Sequence, residues 1–377
     1  DLYWFKNMKK ILFVSHTANF SKFNRNFMKW FREQGWEVSY ASDGKEEILD
    51  CDHAYTFPFA RSPFSSDNIK AYKMLKQLIQ KEKFDIIHCH TPVGGVVTRL
   101  AAKKARKNGT VVMYTGHGLH FYKGAPKLNW MLYYPVEKFC AKYTDALLTI
   151  NEEDYDNVRK YHFPAKQIFH VHGVGVSLER FHKHTRQEKE VLRSEYGYVK
   201  DAFLMIVVAE INKNKNQQFL MQSVAHLKEK YPDIKLLLVG QGELEEQLKS
   251  QVKEQHLEEW VEFLGYRKDV DKLLALSDVL VTASYREGLP VNIMEAMASG
   301  LPVICTDVRG QRELIHNNRN GYIYEIDNED EFKNAVIKLM TEEDTREKFA
   351  SANVQDVERY SLPSVMKEME QIYRSYM

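Results

Sequence analysis

Residues 287–303 read EGLPVNIMEAMASGLPV and place two carboxylates, Glu287 and Glu295, around a predicted helix start. Their separation is just over two turns at about 3.6 residues per turn, so Glu295 points back along roughly the same face. Pro290 suits the first turn of a helix, where its missing N–H leaves no bond unmade. Gly288 allows the backbone to approach a ligand closely. Free N–H groups and the helix dipole at this point favour a diphosphate, and the carboxylates can accept from hydroxyl groups.

The sequence around this stretch decides between a ligand site and an ordinary solvated helix. Residues 279–282 and 303–305 read as short buried strands, with the Gly-Leu-Pro turn and an Ala- and Met-rich helix between them. A loop at the carboxyl end of a parallel strand is where open α/β sheets bind ligands. The segment closely resembles the donor-site signature of retaining GT-B glycosyltransferases of family 4. The resemblance implies that the nucleotide sugar contacts Gly288, Leu289, Pro290, Val291, Asn292 and Glu295, with Glu287 in a catalytic role at the donor sugar.

Strand-like and helix-like segments alternate along both halves of the chain. Buried strands are predicted at 11–15, 37–41, 85–89, 111–115 and 146–150, and again at 203–209, 235–239, 261–263, 279–282 and 303–305. This alternation predicts an α/β fold with parallel, doubly wound sheets. The resemblance implies the GT-B architecture, in which two Rossmann-like domains face a cleft.

The domain boundaries follow from this alternation and from the length of 377 residues, which suits two domains. We expect an acceptor-binding domain over 1–175, a polar hinge over 176–200 and a nucleotide-sugar-binding domain over 201–360. A final helix over 361–377 is expected to cross back to the first domain, as it does in the family. Residues 1–7 are interpreted as a remnant of cloning or upstream read-through, because Met8 looks like a natural start.

Composition and charge limit the classes of partner. No apolar run reaches the roughly 18 residues of a membrane-spanning helix, and the four cysteines show no CxxC pair, which favours a reducing cytosolic setting. Residues 1–180 hold 27 basic against 18 acidic side chains, whereas the remainder is acidic. A basic half indicates anionic lipid or a phosphate-bearing acceptor. Nucleic acid is not expected, since no tight basic run or binding motif appears.

Two loops in the second half resemble the donor-binding loops of the family. Lys215 matches the lysine that neutralises the donor diphosphate, a catalytic role, with Lys213 as an alternative. Glu210 stands where many members carry a second cation. Read without the family, this stretch is simply a polar loop before a helix.

The strand-to-turn segments after 235–239 and 261–263 also resemble parts of the family's nucleotide pocket. Gly242 belongs to a Gly-x-Gly turn that lines the pocket, and either Tyr266 or Arg267 could stack on the base. Either side chain could equally be an ordinary surface residue.

In the first half, the segment TGHGLHF places His117 between two glycines after a strand. His117 matches the family's histidine near the reacting sugar, where a lone histidine would more often be structural. His90, His120, Thr17 and Asn19 are expected on the acceptor side. Asn19 is expected to take left-handed backbone geometry where many members have glycine. We predict no metal and no cofactor, because no acidic partner stands at ligand spacing from the histidines.

These features together lead to one functional prediction. Residues 120–138 mix aromatic side chains with lysines, which favours a membrane interface as much as a core helix, and resemble the exopolysaccharide and capsule branch of the family. We expect a retaining glycosyltransferase that moves a hexose or N-acetylhexosamine from a nucleotide-diphosphate sugar, most simply a UDP-sugar, to a polyprenyl-diphosphate-linked oligosaccharide. It would be cytoplasmic, peripherally bound to the inner face of the bacterial membrane, as a homo-oligomer or assembled with other polysaccharide-synthesis proteins.

Two alternatives share the architecture. A UDP-sugar 2-epimerase would need several convergent carboxylates and would act without an acceptor. A non-catalytic partner subunit would keep the fold and lose the site, a reading to which Glu210 and the altered first loop point.

Overall fold

A computed structural model describes residues 8–377, and the predicted remnant at 1–7 lies outside the described part. The chain divides into two compact units. The first unit comprises the chain up to Val174 together with Val365–Met377, and the second comprises Gly175–Ser364. Each unit contains its own parallel sheet, so each can be described by itself.

The first unit is built on a seven-stranded sheet in the order β3-β2-β1-β4-β5-β6-β7. Every pairing in it is parallel, and the register between the first and fourth strands matches Ile11 with Ile86. The strands are β1 (Lys10–Val14), β2 (Glu37–Ser42), β3 (His53–Thr56), β4 (Ile86–His90), β5 (Val111–Gly116), β6 (Ala146–Thr149) and β7 (Gln167–His170).

Helices cover both faces of this sheet. They are α1 (Ser21–Glu33), α2 (Asp67–Glu82), α3 (Pro92–Ala101), α4 (Lys103–Lys107), α5 (Lys127–Ala141) and α6 (Glu152–Lys160). Side chains alternate along each strand: Leu12 and Cys89 join the hydrophobic cluster formed with α2 and α3. Phe13 instead contacts Phe31 of α1, whose ring also lies 4.7 Å from that of Tyr373 in the last helix of the chain.

The second unit is built on a six-stranded parallel sheet in the order β10-β9-β8-β11-β12-β13. Its strands are β8 (Phe203–Val208), β9 (Ile234–Val239), β10 (Val261–Gly265), β11 (Val279–Val281), β12 (Val303–Thr306) and β13 (Gly321–Tyr324). Its helices are α7 (Arg186–Glu195), α8 (Gln217–Leu227), α9 (Glu245–Glu254), α10 (Val270–Leu276), α11 (Val291–Ala298), α12 (Arg309–Leu314), α13 (Glu329–Thr341) and α14 (Glu343–Asp356). The last helix, α15 (Leu362–Arg374), begins in the second unit and continues into the segment that belongs to the first.

The predicted α/β class with two parallel sheets is confirmed, and each of the ten predicted strands is present. Strands β3, β7 and β13 were not predicted. Helix α7 lies within the stretch predicted as a hinge, and it starts with a capping box in which Thr185 and Glu188 bond each other reciprocally. Among residues 8–377, none of the helices is long and apolar enough to cross a membrane.

Four aspartates tie neighbouring strands together at the amino ends of the sheets. Each comes directly before a strand and accepts a hydrogen bond from a backbone N–H near the start of the adjacent parallel strand. Asp52 accepts from Val38 at 2.9 Å, Asp85 from Lys10 at 2.8 Å, Asp145 from Val112 at 2.9 Å and Asp278 from Leu204 at 2.8 Å. These bonds fix the register of the pairs β2/β3, β1/β4, β5/β6 and β8/β11.

Asp278 differs from the other aspartates because two cationic side chains contact it. Its carboxylate also contacts the Lys189 ammonium at 2.7 Å and the Arg193 guanidinium at 2.5 Å, both from α7. Burial opposes ionisation of Asp278, but the two cations outweigh it and lower the pKa of this carboxyl. A carboxyl with a lowered pKa in the folded state adds stability above its unfolded pKa, about 3.9, which is lost as the pH falls through the folded value.

We expect Asp278→Asn to destabilise the second unit by about 3 kcal/mol, because it leaves two largely buried cations without their carboxylate. Urea unfolding followed by circular dichroism at pH 7 measures the effect. Asp330→Asn is the matched control, because Asp330 is 88% exposed and contacts one lysine, so a change of at most about 0.5 kcal/mol is expected. Equal losses in the two variants would contradict the proposed role of Asp278.

Candidate functional site

The strand order of the second sheet reverses between β8 and β11. β8 is followed in sequence by β9 on one side, whereas β11 is followed by β12 on the other. The loops 209–216 and 282–290 leave the carboxyl ends of β8 and β11, which are paired neighbours. A reversal of this kind opens a crevice outside the carboxyl ends of the strands, where open α/β sheets bind ligands.

Backbone and amide bonds hold these two loops against each other. The Tyr285 N–H donates to the Asn214 carbonyl at 2.9 Å, and the Asn214 side-chain amide donates to the Arg286 carbonyl at 3.0 Å. Asn292, in the first turn of α11, donates from its side chain to the Val208 carbonyl at 2.9 Å. The predicted ligand residue Asn292 therefore also fixes the start of α11 to the end of β8.

Lys215 and Glu287, predicted from separate motifs, form an ion pair. The Lys215 ammonium lies 2.6 Å from Glu287 Oε1, and the two side chains are 22% and 12% exposed. Glu287 stands four residues before α11, whose first-turn N–H groups have no partners within the helix. The structure thus brings a lysine, a carboxylate and a helix start together at one edge of the sheet.

Three glycines are required by close backbone packing around this edge. A Cβ on Gly240 would lie 2.0 Å from the Ala209 carbonyl oxygen, one on Gly242 would lie 2.1 Å from the Ile211 carbonyl oxygen, and one on Gly310 would lie 2.2 Å from the Gly288 carbonyl oxygen. Any side chain at these positions would displace one of the two loops. Gly242 therefore positions the 209–216 loop through its backbone, and Gly310 is a supporting residue that the sequence analysis missed.

A buried network of polar side chains holds the 282–290 loop. The sequence analysis did not predict this network. Thr306 Oγ1 donates to the Ser284 carbonyl at 2.6 Å and lies 2.8 Å from Gln311 Oε1, while the Gln311 amide donates to Thr282 Oγ1 at 3.1 Å. The Arg309 guanidinium donates to the Glu287 carbonyl at 3.2 Å. The threonines at the ends of two buried strands were the feature of the sequence from which this network could have been predicted.

The remaining predicted donor residues differ in how they are placed. Glu210 and Lys213 are exposed, and Glu295 is half-buried on α11. Tyr266 is 72% exposed and open to a stacking partner. Arg267 instead forms a two-point pair with Asp269, at 2.8 and 2.6 Å, so its guanidinium is already engaged in the same loop.

The first sheet reverses its strand order between β1 and β4, and two predicted histidines meet near that point. His90, the last residue of β4, places Nδ1 at 3.1 Å from Nε2 of His117, which follows β5. The Phe20 ring lies 4.8 Å from the His117 ring. Burial lowers the pKa of His117 to about 4, and burial and the neighbouring histidines lower that of His90 well below its ordinary value.

The bond between the two neutral rings fixes which nitrogen carries each proton. His90 Nε2 is buried without a partner. A buried acceptor is left unfilled at less cost than a buried N–H. We therefore assign the proton of His90 to Nδ1, from which it donates to His117 Nε2. The proton of His117 then lies on Nδ1, which is available to donate to a hydroxyl oxygen.

The other residues of this region have mixed outcomes. His88 is buried between the hydroxyls of Tyr373 and Thr115, at 2.7 and 2.8 Å. The His120 ring stacks on Tyr133, with centroids 4.4 Å apart. Asn19 is exposed and lies in one 3-10 turn, Ala18–Phe20, so the predicted left-handed backbone is wrong: the turn holds it in a helical conformation.

The turn after β4 contains a strained residue that was not predicted. Thr91 has φ 64° and ψ 151°, a region occupied mainly by glycine, directly before the first residue of α3. Its hydroxyl accepts from the His16 N–H at 3.2 Å, and its carbonyl accepts from Gly95 at 2.7 Å. The strained residue follows His90 and contacts the loop that contains Thr17. In that loop, the Ser15 hydroxyl donates to the Thr17 carbonyl at 2.7 Å.

Comparisons with known proteins identify the class to which these two sheets and their loops belong. A family model described as glycosyl transferases group 1 matches residues 188–356, and one described as glycosyl transferase 4-like matches residues 10–151. HepE of Anabaena, solved in complex with UDP and glucose, superposes with a TM-score of 0.80 at 18% identity, over 97% of this chain and all of that one. The fold is GT-B.

Similarity to curated proteins places the chain within the family. It is 40% identical to a Bacillus subtilis protein named as a glycosyltransferase, EpsD, over 98% of this chain and 97% of that protein. An Escherichia coli UDP-Gal:alpha-D-GlcNAc-diphosphoundecaprenol alpha-1,3-galactosyltransferase is 30% identical over 72% and 70%. The capsular polysaccharide biosynthesis glycosyltransferase CapM of Staphylococcus aureus is 25% identical over 99% and 98%. The chain belongs to the family 4 glycosyltransferases, in the branch of bacterial exopolysaccharide and capsule enzymes, as its motifs predicted.

This membership decides the alternatives left open by the sequence. The chain is a glycosyltransferase, and these relatives support neither the epimerase nor the non-catalytic subunit. The roles of individual residues remain predictions.

We expect the His117 imidazole to stay neutral from pH 8 to pH 5, and the first unit to lose stability between about pH 6.5 and pH 4. The unfolded chain binds protons at an ordinary histidine pKa, whereas the folded pKa of His117 is about 4, so acid favours unfolding. Imidazole resonances recorded against pH, assigned with His117→Asn, test the first point, and urea midpoints at pH 7.5 and 5 test the second. A His117 titration centred near 6.5 would contradict both.

Proposed function

We propose that this enzyme transfers a hexose or N-acetylhexosamine from a UDP-sugar to a polyprenyl-diphosphate-linked oligosaccharide, with retention of the anomeric configuration, in exopolysaccharide or capsule synthesis. The observation that carries the donor half of the proposal is the Lys215–Glu287 pair beside the start of α11. A cation with free helix N–H groups fits a diphosphate, and a carboxylate fits sugar hydroxyls.

The diphosphate is assigned to Lys215 and the backbone of residues 288–292. Lys215 presents a compact positive charge, and the α11 start adds N–H groups and the positive end of its dipole. Lys213, on the same loop and exposed, is a second cation that can reach an anion. Glu210 is also exposed and lies on the same loop, where its negative charge would repel the diphosphate.

The nucleoside is assigned to the neighbouring loops. Glu295 accepts from the ribose hydroxyls, and the backbone at Gly242 lines the pocket. Tyr266 supplies an exposed ring for the base, while Arg267, paired to Asp269, holds the shape of that loop. Two similar proteins support UDP: HepE was solved with UDP and glucose, and the Escherichia coli relative is named for UDP-Gal.

The reaction needs charge stabilisation and orientation more than a positioned nucleophile. The bond between the anomeric carbon and the leaving diphosphate oxygen breaks, and the acceptor hydroxyl oxygen bonds to that carbon on the same face. The hydroxyl proton passes to the departing diphosphate. Lys215 and the α11 start stabilise the negative charge that develops there, without a metal ion. Glu287 and the Nδ1–H of His117 are assigned to sugar hydroxyls.

The acceptor is assigned to the first unit. Thr17, Asn19, His90 and His120 are the residues proposed to serve it, with His90 acting through the tautomer of His117. The Escherichia coli relative is named for a diphosphoundecaprenol-linked acceptor, which supports a lipid-linked substrate here. We therefore propose an enzyme bound peripherally to the inner face of the cell membrane, in the cytoplasm. As a separate proposal, it acts as a homo-oligomer or in an assembly with other polysaccharide-synthesis proteins.

A ligand panel tests the donor assignment first. Thermal shift and calorimetry with UDP, GDP, ADP and their common sugars, with and without magnesium, are expected to show stabilisation by the uridine series that does not depend on the metal. Stabilisation by another base would correct the donor and keep the enzyme class. Strict dependence on magnesium would overturn the metal-independent mechanism.

We expect Lys215→Ala and Glu287→Gln to change UDP affinity in opposite directions. The first removes the cation and should weaken binding about tenfold, the size of a charge-assisted contact. The second frees Lys215 from its partner and should tighten UDP binding about threefold, the size of a partly exposed ion pair. Lys253→Ala, on the exposed side of α9, is the control and should change nothing. Weaker UDP binding in both variants would contradict the proposal that UDP and Glu287 compete for Lys215.

We expect Glu287→Gln to lose at least about tenfold in transfer rate although it binds UDP no more weakly than the natural chain, because Glu287 serves the sugar in the reaction. Transfer from labelled UDP-sugars to a short-chain polyprenyl-diphosphate saccharide measures the rate. Nuclear magnetic resonance of the product gives the anomeric configuration. An inverted product would overturn retention, and an unchanged rate would remove Glu287 from catalysis.

A further inference from the structure

Helix α5 in the first unit is apolar on two sides: Trp130, Tyr133, Tyr134 and Ala141 pack in the hydrophobic cluster, and a second set of apolar side chains faces solvent. Its one acidic residue, Glu137, is buried, whereas the side that faces solvent is apolar. The exposed apolar side chains recur at the three- and four-residue spacing of one helical face. They are Leu128, Met131, Leu132, Pro135, Val136 and Phe139.

The exposure of this face is large for side chains of this type. Met131 is 72% exposed and Leu128 is 61% exposed. A surface helix of a globular protein ordinarily turns its apolar stripe to the core and its polar residues to water. A second contiguous apolar stripe on the solvent side indicates a surface that another phase or molecule covers.

The buried side of α5 holds the helix in this orientation. Arg99 of α3 donates to Glu137 Oε2 at 2.7 Å, and the Tyr114 hydroxyl donates to Glu137 Oε1 at 3.1 Å. The Arg99 guanidinium also lies over the Tyr114 ring, 3.9 Å from its centroid. Rotating α5 to bury its apolar stripe would break this ion pair and expose Glu137, so the apolar side is fixed outward.

Positive charges surround the apolar stripe. Lys127 and Lys142 are exposed at its two ends, and Lys103 of α4 lies over the rings of Phe139 and Tyr143, at 5.5 and 4.1 Å. Glu137 is the one acidic residue in 121–144, and it is buried. The outward surface of this segment therefore combines apolar side chains with cations and no exposed carboxylate.

We propose that the outward face of α5 docks on an anionic lipid bilayer, with the apolar stripe in the headgroup and acyl boundary and the lysines on lipid phosphates. Long lysine side chains can reach the headgroups while apolar neighbours insert. A second copy of the chain fits this face poorly, because a symmetric contact would place lysines against lysines. The inference gives the proposed lipid-linked acceptor a physical route to the enzyme and rests on that function for its biological meaning.

Sedimentation of the full chain with vesicles tests the proposal. Vesicles of phosphatidylcholine with 30% phosphatidylglycerol are expected to bind the protein, and pure phosphatidylcholine to bind it at least tenfold less. A Leu128→Ser, Met131→Ser, Phe139→Ser variant should lose at least tenfold in partition onto the anionic vesicles. A Lys127→Gln, Lys142→Gln variant should lose less and should lose most of its salt dependence.

The control variant replaces exposed apolar side chains on a different surface by serine. Val191→Ser with Val199→Ser removes apolar side chains that are 52% and 67% exposed in the second unit, and it should leave partition unchanged. Melting curves and UDP binding establish that each variant is folded. Equal partition of the α5 variant and the natural chain would overturn the proposal. Two further outcomes would assign the face to a protein partner and would also overturn the proposal. One is a dimer in sedimentation velocity that the α5 variant abolishes. The other is binding of the natural chain to an acidic protein and not to vesicles.

Membrane docking and the proposed function fail separately in these measurements. If vesicle binding is absent while transfer to a water-soluble short-chain acceptor persists, the docking face is wrong and the function stands. If vesicle binding is present and depends on α5 while no lipid-linked acceptor is used, the docking face stands and the acceptor assignment is wrong.

Discussion

Carboxylates at the amino ends of the sheets set the positions of the loops at their carboxyl ends. A parallel pair can slip in register, and a slip of one residue turns every side chain to the other face. Asp85 ties β4 to β1, and Asp278 ties β11 to β8. These are the two pairs at which the strand order reverses. The loops at the carboxyl ends of these strands therefore depend on an aspartate at the opposite end of the same strands.

Much of this arrangement could be predicted from residue patterns. Short apolar runs gave the buried strands, and the alternation with helices gave the parallel sheets. The three strands that escaped detection lie at sheet edges, and two of them have mixed composition: β3 reads HAYT and is mostly exposed, and β7 reads QIFH. Helix α7 was missed although its capping box, Thr185 with Glu188, was visible in the sequence.

The site was predictable as a set of motifs and not as a set of contacts. Lys215 and Glu287 are far apart in sequence, and only the pairing of β8 with β11 brings them to 2.6 Å. No local pattern reveals that pairing, because strand order is a property of the whole sheet. The His90–His117 bond depends in the same way on β4 lying beside β5. Asn19 was mispredicted for a different reason. The family pattern suggested a left-handed backbone, whereas Asn19 lies in a 3-10 turn, which is right-handed.

The Lys215–Glu287 pair also bears on turnover under the proposed function. While they are paired, the two side chains neutralise each other, so inorganic phosphate meets little net charge there. Under the proposal, a free nucleotide that engages Lys215 leaves the Glu287 carboxylate largely buried and without its cation. The intact nucleotide sugar would offer hydroxyls to that carboxylate as well as phosphates to the lysine. Once the sugar has been transferred, re-formation of the ion pair would compete with the spent nucleotide, so this contact would promote product release.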